Sequence, residues 1–122
     1  MKRILLAAAA VIAIATAAEA NPFDATYGNT VTQIFPNGMK VLVYINADST
    51  WEQHIGATVQ KGTYAWKDDT HACFTQTDPA PADPAKATSC IAITDTHKVG
   101  DSWDDPTPDG KAVVHMSITA GR

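Results

Sequence analysis

The stretch Trp51–Thr77 reads WEQHIGATVQKGTYAWKDDTHACFTQT, and its alternation decides the fold class. From Trp51 to Val59, one face carries Trp51, Gln53, Ile55, Ala57 and Val59. The other carries Glu52, His54, Gly56 and Thr58. A period of two is that of a strand with one buried and one wet face. Trp51–Gln60 therefore reads as one strand that ends at Lys61-Gly62. TYAWK (63–67) reads as a short strand stopped by Asp68-Asp69, and HACFTQT (71–77) as the next. Tyr64, Trp66, Ala72 and Phe74 continue the apolar side.

The same pattern extends in both directions. Upstream, YGNTVTQIF (27–35) and MKVLVYIN (39–46) flank the turn signal Pro36-Asn37-Gly38. Downstream, SCIAIT (89–94), VGDSW (99–103) and KAVVHMSIT (111–119) are separated by turn-rich segments that include DDPTPDG (104–110). Ile91 and Ile93, and then Ala112, Val114, Met116 and Ile118, fall on the apolar side. No stretch after residue 20 sustains a helical period. About eight short strands at regular spacing predict an all-β domain. Short connections make sequence neighbours into sheet neighbours. The expectation is an antiparallel meander closed into a small barrel, with a β-sandwich as the alternative.

The first twenty residues stand apart. Lys2 and Arg3 precede an uncharged run from Ile4 to Ala17, and Ala18-Glu19-Ala20 fits a small-x-small cleavage site. That order is the anatomy of a secretory signal, and the apolar run is too short for a membrane-spanning helix. Residues 1–20 are therefore expected to be a signal peptide and 21–122 a single β-domain, with no membrane span after cleavage. Its location is expected to be periplasmic or extracellular. Cleavage removes two positive charges and one negative from the full chain's net −4, leaving −5. An acidic domain with scattered lysines lacks the clustered positive charge that phosphate contacts need, so nucleic acid is not an expected partner.

Export gives the only two cysteines, Cys73 and Cys90, their meaning. Two thiols in an oxidising compartment pair, and an even count leaves none over. Both fall on the outer faces of strands flanking a Pro/Ala-rich segment, so they can meet across a hairpin. The segment, QTDPAPADPAKAT (76–88), has too few apolar residues to fix its own register. A disulfide at its base is worth about 3 kcal/mol in the chain-entropy model.

No catalytic or cofactor-binding motif is present, so the domain reads as non-enzymatic, with no cofactor and no metal. His54, His71 and His115 point outward by alternation, and His97 falls in a turn. The pairs Asp68-Asp69 and Asp104-Asp105 read as turn residues. Trp51, Tyr64, Trp66, Phe74 and Trp103 are the informative set. Large inner-face aromatics either fill a core or line a cavity, and the interior of an eight-stranded barrel suits either. Gln53 shares their face and is the candidate polar group.

The progression GTYAWKDDTHACFTQT…SCIAIT…VGDSW…DG resembles small exported all-β proteins of Gram-negative bacteria. In architecture these are similar to lipocalin- and avidin-type barrels, and the resemblance implies export and a barrel-like fold. Two functions are carried forward. One is a barrel that binds a small apolar ligand among Trp51, Gln53, Tyr64, Trp66, Phe74 and Trp103. The other is a protein-interaction or inhibitor module that meets an envelope protein through the 76–88 loop.

Overall fold

The computed structural model describes residues 21–93 and 95–122, so the expected signal peptide lies outside the described residues. The chain is all-β. Its strands are β1 (Thr30–Ile34), β2 (Lys40–Ile45), β3 (Thr50–Ile55), β4 (Thr58–Trp66), β5 (His71–Asp78), β6 (Thr88–Ala92), β7 (Ser102–Pro106) and β8 (Val113–Thr119). Single 3-10 turns occur at Asp24–Thr26 and Pro84–Lys86.

All eight strands form one antiparallel sheet in the order β6-β5-β4-β3-β2-β1-β8-β7. The order is that of a meander whose last strand returns to the first, with Val31 opposite Ile118 and Gln33 opposite Met116. Each strand therefore pairs with its sequence neighbours, except that β6 and β7 do not pair with each other. The sheet curls into a half-barrel and stays open along that seam. Ile93 and residues 95–101 lie across one end, tied by Ile93 N–H to Thr70 O (2.6 Å) and Gly100 N–H to Ile118 O (2.8 Å). The expected barrel thus describes the curvature of one sheet, closure is incomplete, and the two sheets of the sandwich alternative are not formed.

The β7 edge resists further pairing. β7 carries Asp104, Asp105 and Pro106, two charges and a residue without an N–H. Asp104 and Asp105 are strand residues here, against the expectation of a turn, and β7 lies three residues later than the expected 99–103 strand. An edge strand tolerates them because one of its backbone sides faces solvent. Across it, Asp104 pairs with the His115 imidazole.

The expected strand Trp51–Gln60 is two strands. Gly56 takes φ 59°, and Ile55 pairs with Thr58 around a two-residue hairpin turn, Gly56-Ala57. The turn resets the alternation. Val59 lies opposite His54 on the outer face, 39% exposed, and is not inward as the unbroken pattern implied. Lys61-Gly62 does not end a strand. It is the site of a register shift within β4.

The Pro/Ala loop is shorter than the expected 76–88. Gln76–Asp78 belongs to β5 and Thr88 to β6, leaving 79–87 as the connection. It is a built turn. Gln76 N–H donates to Ala87 O (2.8 Å), and the Asp83 carboxylate accepts the Ala85 N–H (3.0 Å). Cys73 and Cys90 are directly opposite in the β5–β6 register, 3.9 Å apart at Cα, and are joined as a disulfide.

The core gathers at the end crossed by 95–101. Phe23, Ile45, Trp51, Tyr64 and Ala72 form one buried cluster. Phe23 enters from the segment before β1, and its ring lies 4.9 Å from Trp66, 5.3 Å from Tyr64 and 5.9 Å from Phe74. The Asp24–Thr26 turn holds it there through the Thr26 hydroxyl, which donates to Phe23 O (2.6 Å). No helix among the described residues is long and apolar enough to cross a membrane.

Candidate functional site

The concave side of the half-barrel encloses a cavity of about 660 Å³. Its back wall is the alternating inner face of β1, β2, β3 and β8, including Val43, Trp51 and Met116. Its two lips are the free edges, with Ser89 and Ile91 on β6 and Trp103 and Asp105 on β7. Phe23 and Thr26, both nearly fully buried, close one end. A cavity of this size is within the range that holds small organic ligands.

Four of the six predicted residues meet here: Trp51, Gln53, Phe74 and Trp103 all line the cavity. Trp51 sits where it does because Gly62 is opposite it and has no side chain. A Cβ at Gly62 would fall 2.8 Å from Trp51 Cε2 and 1.8 Å from Thr75 O. The Trp51 indole lies in that space and donates from Nε1 to Thr63 O (3.0 Å), which satisfies its one polar atom. Phe74 packs 6.3 Å from Trp51. Gln53 donates from Nε2 to Gln60 Oε1 (2.8 Å).

Tyr64 and Trp66 do not line the cavity, and they belong to the packed cluster around Phe23. The Tyr64 hydroxyl donates to Asn46 O (2.7 Å) and lies 3.3 Å from the Tyr27 hydroxyl. Burial, with the Tyr27 hydroxyl second, pushes the Tyr64 phenol well above its ordinary range. The two readings of the inner aromatics are thus both realised, and Trp51 and Phe74 take part in both, packing against the Phe23 cluster and lining the cavity.

Several lining residues carry no local sequence signal. His97 stacks face to face on Trp103 with ring centroids 3.4 Å apart and planes 5° from parallel. Trp103 Nε1 donates to the Asp105 carboxylate (3.1 Å). Asp95, at the same seam, also lines the cavity. These side chains meet only because the 95–101 crossing folds back beside β7. The inward placement of Met116 and Gln33, by contrast, follows from alternation. The walls are mostly apolar, and no Lys or Arg contributes to them.

The other three histidines lie outside the cavity, each beside a carboxylate. His54 meets Glu52, His71 meets Asp68, and His115 meets Asp104. The His54 hydrogen bond is the largest influence holding Glu52 below its ordinary range. Asp68 accepts from Thr70 N–H (2.9 Å), His71 N–H (2.9 Å) and the His71 ring (3.0 Å), and is held down at about 2, chiefly by the Thr70 backbone. Among the described residues, no group of three or more His, Cys, Asp or Glu side chains converges as a metal site.

No family model, no curated protein and no solved structure matches this chain.

Proposed function

We propose that this chain is an exported, non-enzymatic binding protein that holds a small apolar ligand in the half-barrel. The single observation that carries the reading is the 660 Å³ cavity, whose walls are the inner faces of the strands themselves. A domain of this size that leaves so much apolar surface unfilled forgoes core packing it needs for stability. A ligand recovers that burial. Trp51, Phe74 and Trp103 supply aromatic walls, Gln53 supplies a polar group, and the β6–β7 seam supplies a way in. Export is supported by the sequence order of Lys2-Arg3, the Ile4–Ala17 run and Ala18-Glu19-Ala20, together with the Cys73–Cys90 bond.

The test is titration with a neutral apolar probe, N-phenyl-naphthylamine, followed by probe emission and tryptophan quenching. Wild type is expected to bind one probe per chain. Met116→Trp and Val43→Phe each fill the cavity from the back wall and are expected to weaken binding about tenfold or more, whereas Val59→Trp, on the outer face, leaves it intact. The melting temperature of each variant separates cavity filling from misfolding. No binding by wild type, or equal binding by folded filled variants, overturns the reading.

A further inference from the structure

The lining of the cavity is charged in one sense only. Asp95 and Asp105, both exposed, line it at the seam, with the Asp105 carboxylate held beside the Trp103 indole, while no Lys or Arg lines any part of it. Neither Asp95 nor Asp105 forms an ion pair among the described residues; the paired carboxylates, Glu52, Asp68, Asp101 and Asp104, belong to other histidines or to Lys61. The one basic side chain in the lining, His97, has its ring face occupied by Trp103 and its Nδ1 turned 3.8 Å from Asp101.

We propose that the ligand is an organic cation, a protonated or quaternary amine on an aromatic or alkyl body. The proposal rests on the reading of the cavity as a ligand site and adds the charge of the occupant. The apolar body fits the walls at Val43, Trp51 and Phe74. The ammonium then lies at the seam, between the Asp95 and Asp105 carboxylates and beside the Trp103 indole. An indole attracts a cation through its ring quadrupole, and donation of its N–H to Asp105 makes the ring more electron-rich. Low-dielectric walls around a cleft of one sign focus the field and raise the local concentration of the opposite charge. An anion of the same shape meets unpaired carboxylates while losing its own hydration, and is disfavoured.

A matched series on one scaffold tests this: naphthylmethanol, naphthylmethylammonium and naphthylacetate, titrated into the oxidised full-length mature protein. The cation is expected to bind about tenfold tighter than the alcohol, and the acetate more weakly than either. Added salt reduces the cation's advantage without changing alcohol binding. Asp105→Asn keeps an acceptor for the Trp103 N–H, and Asp95→Asn keeps the shape. Each is expected to remove most of the cation's preference over the alcohol measured on the same variant, and the melting temperature reports that the variant is folded. Equal binding of the three, a preference for the acetate, or a cation preference untouched by both substitutions overturns the charge assignment and leaves the apolar cavity standing. Failure of all three ligands overturns the cavity reading and this proposal with it.

Discussion

Two residues show how narrowly the site depends on single atoms. Gly62 has neither a turn nor a positive φ to explain it. Its reason is the close approach of Trp51 on one side and the Thr75 carbonyl on the other. The nearest neighbour is backbone and cannot swing aside, so Gly62→Ala is expected to cost about 3 kcal/mol or more, measured by denaturant unfolding. A cost under about 1 kcal/mol would contradict the Trp51 placement. Asp68 is the second. Its carboxyl is held at about 2 by the Thr70 and His71 donors, below its value in the unfolded chain. A group depressed in this way contributes stability that is complete above about pH 4 and is lost as the pH falls towards 2. The melting temperature of wild type is therefore expected to fall more steeply over that window than that of Asp68→Asn. Parallel slopes would show that the β4–β5 turn does not draw on this carboxylate.

At the scale of elements, the sequence pattern located strands better than it located their ends. The period of two in Trp51–Ile55 and in Val114–Ile118 is written in side chains, and the sheet keeps it. The two-residue turn at Gly56-Ala57 is invisible in the sequence because apolar residue types continue at every second position, Ile55, Ala57 and Val59, although the turn moves Val59 to the outer face. Only the glycine's left-handed φ marks it, and Lys61-Gly62 offered a more conspicuous break that turned out to be a register shift inside a strand. The β7 strand was displaced for a similar reason, since Asp-Asp-Pro is turn chemistry in isolation and edge-strand chemistry beside β8. The cysteine pairing was legible because an outer-face register across β5 and β6 leaves the sulfurs one geometry. That disulfide anchors β6, one of the two strands with a neighbour on one side only. Cys73→Ser is expected to lower stability by about 3 kcal/mol and to raise amide exchange first in Thr88–Ala92. Unchanged melting and exchange would assign the bond no role in holding that lip.

The whole molecule is a meander barrel that completes every strand pairing but one. Closure between β1 and β8 depends on contacts from opposite ends of the domain, and no local pattern encodes it. The open β6–β7 seam is further still from the sequence, because those strands are neighbours in the chain and ordinary expectation pairs them. Half of the candidate site was legible, and the division has a physical basis. Trp51, Gln53 and Phe74 declare their inward side by alternation within strands. His97, Asp95 and the Phe23 plug enter from segments without period, and only the folded chain brings them to the cavity. The same distinction explains Tyr64 and Trp66. They share the inner face with Trp51, but the Phe23 ring packs on both of them.

The chain's three tryptophans give the most direct test of a ligand cavity in this half-barrel. Trp51 and Trp103 line the cavity, and Trp66 does not. In a nitrogen-15 correlation spectrum of the oxidised protein titrated with N-phenyl-naphthylamine, the indole N–H signals of Trp51 and Trp103 are predicted to shift together and saturate at one probe per chain. The Trp66 signal and the outer-face amides of Ala65 and Cys73 are predicted to stay near their starting positions. Unmoved Trp51 and Trp103 signals, or shifts confined to the outer face, would contradict the account.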